Sequence, residues 1–94
     1  MATSGVEEAA MRLLGAFYDL SGHNPAVSVP LGTSREPGPR TAAKAADMEP
    51  GSTECDVALR YLLNQRYVEE GGAPSEFEIT VMGIDRVRET RGLG

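Results

Sequence analysis

A small α+β domain is the fold class that the sequence predicts, and three observations predict it. Apolar residues recur with helical period over residues 6–20 and again over 53–65. Apolar and acidic residues alternate with period two over 76–81, the pattern of a half-buried strand. Between the helical stretches, residues 23–40 hold four of the six prolines, which leaves room for short extended pieces and turns but for no long element. At 94 residues the chain buries roughly 60–65% of the surface its unfolded form exposes. That suffices for one modest core, so residues 1–94 are expected to form a single domain.

The first helix carries Val6, Ala9, Ala10, Leu13, Leu14, Phe17 and Leu20 on one face. Ser4 and Glu7 stand in the relation of a capping box at its start, and Gly22 is placed to end it in the left-handed conformation. Residues 27–29 are expected to form a short strand between Pro25 and Pro30, and residues 31–40 a mobile loop. A short alanine-rich helix follows from Thr41 through Met48, stopped by Glu49-Pro50-Gly51. Ser52 or Thr53 then caps a third helix that runs to about Gln65, with Glu54 and Asp56 in its first turn. On that helix Cys55, Ala58, Leu59, Leu62 and Leu63 share the core side, whereas Thr53, Val57, Arg60, Tyr61 and Asn64 share the other.

A hairpin follows. Its first strand lies near Tyr67 to Glu70, its loop contains Gly71-Gly72, and its second strand turns Phe77, Ile79 and Val81 inward and Glu76, Glu78 and Thr80 outward. A last helix is expected to take Thr80 as N-cap, to carry Asp85 in its first turn, to bury Ile84 and Val87, and to end near Arg88 and Arg91, with residues 92–94 a frayed tail.

The formal charge is −5, which excludes the broadly basic surface of many nucleic-acid binders. One cysteine, Cys55, allows no internal disulfide and no cysteine cluster for zinc, and its plain role is that of a small buried hydrophobe. His23, the single histidine, reads as a turn residue beside Asn24-Pro25. No apolar run reaches membrane-spanning length, and Glu7, Glu8 and Asp19 interrupt what a signal peptide would keep uncharged. A cytoplasmic location, no membrane association, no cofactor, no metal and no enzymatic activity are the expectations.

From Ala58 to Glu69 and from Phe77 to Gly83, Ala-Leu-Arg-Tyr-Leu-Leu-Asn-Gln-Arg-Tyr-Val-Glu and Phe-Glu-Ile-Thr-Val-Met-Gly, the chain resembles the second half of a winged helix-turn-helix domain. The element order agrees: helix, short strand, helix, helix, two-stranded wing, C-terminal helix. Arg66 stands where the family commonly has glycine, so a left-handed non-glycine residue is expected there unless the helix ends differently. The proline-rich loop before the second helix is a further departure.

The resemblance implies a DNA-binding, transcription-regulator type of domain whose third helix enters the major groove. Carried over position by position, Thr53, Val57, Arg60 and Asn64 face bases, and Arg35, Arg40, Lys44 and Arg66 reach phosphates. Arginine reads guanine and asparagine reads adenine through paired hydrogen bonds. Against this, Glu54 and Asp56 sit at the turn nearest the duplex, and the wing holds Glu69, Glu70, Glu76 and Glu78 with no Lys or Arg. The alternative is an acidic module that holds a protein partner or a second copy of itself through Val57, Tyr61, Glu69 and Glu70. For Val57 and Tyr61, packing against the first helix or the long loop stands beside the partner role.

Overall fold

The computed structural model describes residues 5–32, 40–73 and 75–92. Ser4 of the expected capping box, Arg35, most of the expected loop and the last two residues of the expected tail lie outside the described residues. Four helices and three strands follow one another as α1 (Gly5–Leu20), β1 (Ser28–Pro30), α2 (Ala42–Ala45), α3 (Thr53–Asn64), β2 (Val68–Glu70), β3 (Glu76–Ile79) and α4 (Val81–Arg91). The strands form an antiparallel sheet in the order β1-β3-β2. This is a small, compact α+β structure with a radius of gyration of 12.0 Å.

Helix α1 is the central element. Its buried face, Ala9, Ala10, Leu13, Leu14, Phe17 and Tyr18, packs most extensively against α3 and also meets α2, α4 and β3. Leu13, Leu14 and Phe17 are fully enclosed, each contributing about 1.5–3 kcal/mol by burial. From α3 come Cys55, Ala58 and Leu62, with Leu59 and Leu63 half-buried at the margin, as the helical spacing predicts. The sheet closes the core with Val29, Val68 and Ile79, and Phe77 meets Phe17 edge to face at 6.2 Å.

Three helices end in the same way. After α1 the His23 amide donates to the Tyr18 carbonyl and Gly22 to Asp19; after α2 Met48 donates to Ala43 and Asp47 to Lys44; after α3 Tyr67 donates to Leu62 and Arg66 to Leu63. These are Schellman closures with a left-handed residue at the turn. Gly22 fills that place after α1 as expected, but Asp47 (φ 60°) and Arg66 (φ 63°) do so without the freedom of glycine. The Asp47 closure corrects the extent of the second helix: it stops at Ala45, and the reversal carries Met48 into the core. Pro50 and Gly51 (φ 84°) then make a tight turn in which the Ser52 amide donates to Glu49, and Ser52 caps α3 by accepting from the Cys55 amide.

Three further expectations are corrected. The first strand is Ser28–Pro30 rather than 27–29, because the Val27 amide is taken by the Asn24 carbonyl in a turn that the Asn24 side chain also braces through the Ala26 amide. Val81 does not continue the inward alternation of β3; it is the first residue of α4 and is 64% exposed. With α4 starting there, Asp85 falls beyond its first turn.

Thr80 makes that switch from strand to helix. Its hydroxyl donates to the Arg66 carbonyl at 2.7 Å, with the Tyr67 carbonyl at 3.1 Å, and accepts from the Gly83 amide at 3.0 Å. Its own amide donates to Tyr67. Gly83 passes so close beneath the Tyr67 carbonyl that an added Cβ would overlap that oxygen and press on Ile79. Gly83→Ala is therefore expected to destabilise the fold by about 1–3 kcal/mol in urea unfolding. Arg66→Gly should instead gain up to about 1 kcal/mol, the relief of a left-handed side chain less the added entropy of the unfolded glycine.

Candidate functional site

The outward face of α3 and the hairpin that follows it carry the residues singled out in the sequence. Thr53, Arg60 and Asn64 are exposed along α3, with Val57 half-buried between them. Arg60 reaches back one turn to Asp56 at 3.6 Å, a solvent-exposed pair worth about 0.3–0.5 kcal/mol and readily exchanged for another partner. Glu54 is held by Arg12 of α1 at 3.1 Å, and the same guanidinium lies 3.5 Å from the Ala46 carbonyl. Arg12 thus ties α1 to the end of α2 and the start of α3, and it neutralises one of the two acids at the α3 N-terminus.

Of the two roles weighed for Tyr61, the structure shows packing against α1. Its ring packs at the core margin, and its hydroxyl donates to Glu7 of α1 at 3.3 Å. Desolvation, and secondarily the Glu7 charge, hold the phenol above its usual pKa. The packing role is thus occupied, and Val57 is left as the apolar residue on the outward strip.

Arg40, Lys44 and Arg66 are exposed, and none forms an ion pair with a described residue. Arg40 and Lys44 flank the α2 cap and Arg66 follows the end of α3. Arg35 lies outside the described residues. The four carboxylates of the hairpin are likewise without a cation among the described residues. Glu69 stands directly opposite Glu78, Glu70 opposite Phe77, and Glu76 opposite Pro30. Glu78 accepts a hydrogen bond from the Ser28 hydroxyl at 3.2 Å.

One polar group of the structure escapes sequence reasoning. Arg91, expected only to sit at the negative end of the last helix, grips both Asp19 oxygens at 3.0 and 3.1 Å and lies 5.3 Å over the Tyr18 ring, on which His23 stacks at 4.0 Å. Asp19 and Arg91 are 72 positions apart, and no local pattern pairs them. This cluster fastens α4 to α1 next to a hollow of about 480 Å³ floored by Gly15, Ala16, Ala46 and Val87. Both cations at its rim, Arg12 and Arg91, are already engaged with carboxylates.

Among the described residues no three His, Cys, Asp or Glu side chains gather as metal ligands would, and no helix is long and apolar enough to cross a membrane. No family model, curated protein or solved structure matches the chain.

Cys55 is buried in the core, and desolvation raises its thiol pKa, with Asp56 and Glu54 adding to the rise and a hydrogen bond from the Gly51 backbone opposing it. A folded-state pKa above the unfolded one contributes stability that is complete below the unfolded value and is lost as pH rises through the folded value. The native protein is therefore expected to react slowly with a thiol reagent near pH 8 and rapidly once unfolded. Its stability should fall on going from the neutral to the alkaline side of the usual thiol range, and Cys55→Ala should flatten that fall in unfolding curves taken across it.

Proposed function

We propose that the chain is a non-enzymatic binding module of winged helix-turn-helix type that engages duplex DNA through α3. Thr53, Val57, Arg60 and Asn64 face the bases and Arg40, Lys44 and Arg66 the phosphates, with Arg35 in the same role. The support for the fold reading is the element order together with a hairpin whose second strand lies in the middle of a three-stranded sheet. The observation that carries the DNA reading is electrostatic. Arg40, Lys44 and Arg66 are exposed and form no ion pair with a described residue, and Glu54 in the first turn of α3 is already paired with Arg12. Cations free of internal partners are the ones that release counterions when they meet phosphate.

The hairpin favours a second reading. Its carboxylates would be repelled by a duplex, so in the DNA mode the wing stays off the phosphates and affinity is modest. An acidic module that holds a protein partner, or pairs with a second copy, through Val57, Glu69, Glu70 and the part of the Tyr61 ring left exposed at the core margin uses those charges directly.

Fluorescence anisotropy with a labelled random duplex separates the two. The DNA reading expects weak binding at low salt, with log K falling against log salt at a slope of about −3.6 for four phosphate contacts. Replacing Arg40, Lys44 and Arg66 together by Ala should abolish most of that slope. Absence of binding at low salt, or binding indifferent to salt, sinks the DNA reading and leaves the protein-partner one. Glu69→Lys with Glu70→Lys should strengthen DNA binding if the wing nears the duplex, and leave it unchanged if it does not.

A further inference from the structure

The outer face of the sheet has its own chemistry, separate from α3. Because Val29, Val68 and Ile79 point to the core, the register turns Ser28, Glu69 and Glu78 away from it. Glu69 and Glu78 are cross-strand neighbours, and like charges directly opposite one another are destabilising. The Ser28 hydroxyl donates to Glu78, but among the described residues no cation offsets the repulsion. Arg12, Arg60, Arg86 and Arg91 are each paired with another acid, and no described cation forms an ion pair with either glutamate.

These two carboxylates line a hollow of about 220 Å³ together with Pro25, Ile79, Thr80 and Val81. The apolar part of that lining is also out of the ordinary. Val81 is 64% exposed, the most exposed large apolar residue among those described, and Met82, next along α4, is 54% exposed but lines a separate hollow with Tyr67, Asp85 and Arg86. Neither serves α4 as a buried position, since the buried residues of that helix are Gly83 and Val87.

We propose that this hollow is a docking site for a basic segment of a protein partner, a Lys or Arg followed or preceded by an aliphatic residue. The cation sits between Glu69 and Glu78, where it relieves their repulsion and makes charge-assisted hydrogen bonds. Its methylene stem lies on Pro25, and the adjoining aliphatic side chain covers Val81. A second copy of this chain is a poor occupant, because it brings the same carboxylates and a net charge of −5. Nucleic acid and anionic lipid are repelled outright. The site stands whether or not α3 engages DNA.

The test uses the 94-residue chain labelled with nitrogen-15 and a capped synthetic peptide of alternating Arg, Leu, Lys and Val, compared with the same peptide carrying citrulline and norleucine for its cations. The basic peptide is expected to move the amide signals of Ala26, Glu69, Glu78, Val81 and Met82, and the neutral one to leave them in place. Glu69→Gln with Glu78→Gln removes a repulsion and so keeps the fold, and it should weaken binding about tenfold or more. Val81→Ser should weaken it severalfold while leaving the salt dependence intact. The proposal is overturned if the neutral peptide binds equally, if the double variant retains full affinity, or if the shifts fall on α3. Sedimentation that shows self-association abolished by the double variant would assign the hollow to a second copy and overturn it as well.

Discussion

The carbonyl of Tyr67 is the point on which the second half of the structure turns. It accepts the Thr80 amide, lies within reach of the Thr80 hydroxyl, and covers Gly83 at a distance that no side chain tolerates. That one group therefore joins the end of α3, the end of β3 and the first turn of α4. It can occupy this place only because Arg66 adopts the left-handed conformation, which reverses the chain after Leu63 and aims Tyr67 back at the sheet. The strain of a non-glycine residue there, of order 1–2 kcal/mol, is offset by the hydrogen bonds the reversal makes possible. Everything proposed about function rests on this junction, because it sets where the hairpin lies relative to α3.

Charge is partitioned among surfaces in a way that follows from the packing. Among the described residues the ion pairs that cross between elements all involve α1: Arg12 with Glu54, and Asp19 with Arg91. Both are partly exposed and individually weak, so their effect is to select orientation rather than to hold the fold. Arg40, Lys44 and Arg66 take no part in an ion pair with a described residue, and neither do Glu69 and Glu78 on the outer sheet. A net charge of −5 thus coexists with three exposed cations that pair with no described residue. The two surfaces favour partners of opposite sign, which is why one small domain supports both a nucleic-acid and a protein reading.

Much of the fold was legible in the chain itself, for local reasons. The core stripes of α1 and α3, the Ser52 and Thr80 caps and the Pro50-Gly51 turn all follow from residues within a few positions of one another, whereas the left-handed Arg66 was one of two outcomes that the family resemblance implied. The misreadings share a cause. Val27, Met48 and Val81 each belong to a favourable local pattern that a competing hydrogen bond cuts short by one or a few residues, at Asn24, Asp47 and Thr80 respectively. Periodicity records which residues are apolar, not where a capping group ends the repeat.

The candidate site divides along the same line. Its residue types, the bases around α3 and the acids of the wing, were determined by the sequence alone, as were the helical spacing of Thr53, Val57, Arg60 and Asn64 and the burial of Cys55. Only the tertiary structure decided that Tyr61 is spent on Glu7, that Glu54 is neutralised by Arg12, and that Glu69 meets Glu78 beside an exposed Val81. Those contacts join side chains between 9 and 54 positions apart in the chain or across strands in register. Spacing along one element is a local geometric constraint, whereas pairing across elements depends on how the whole core packs.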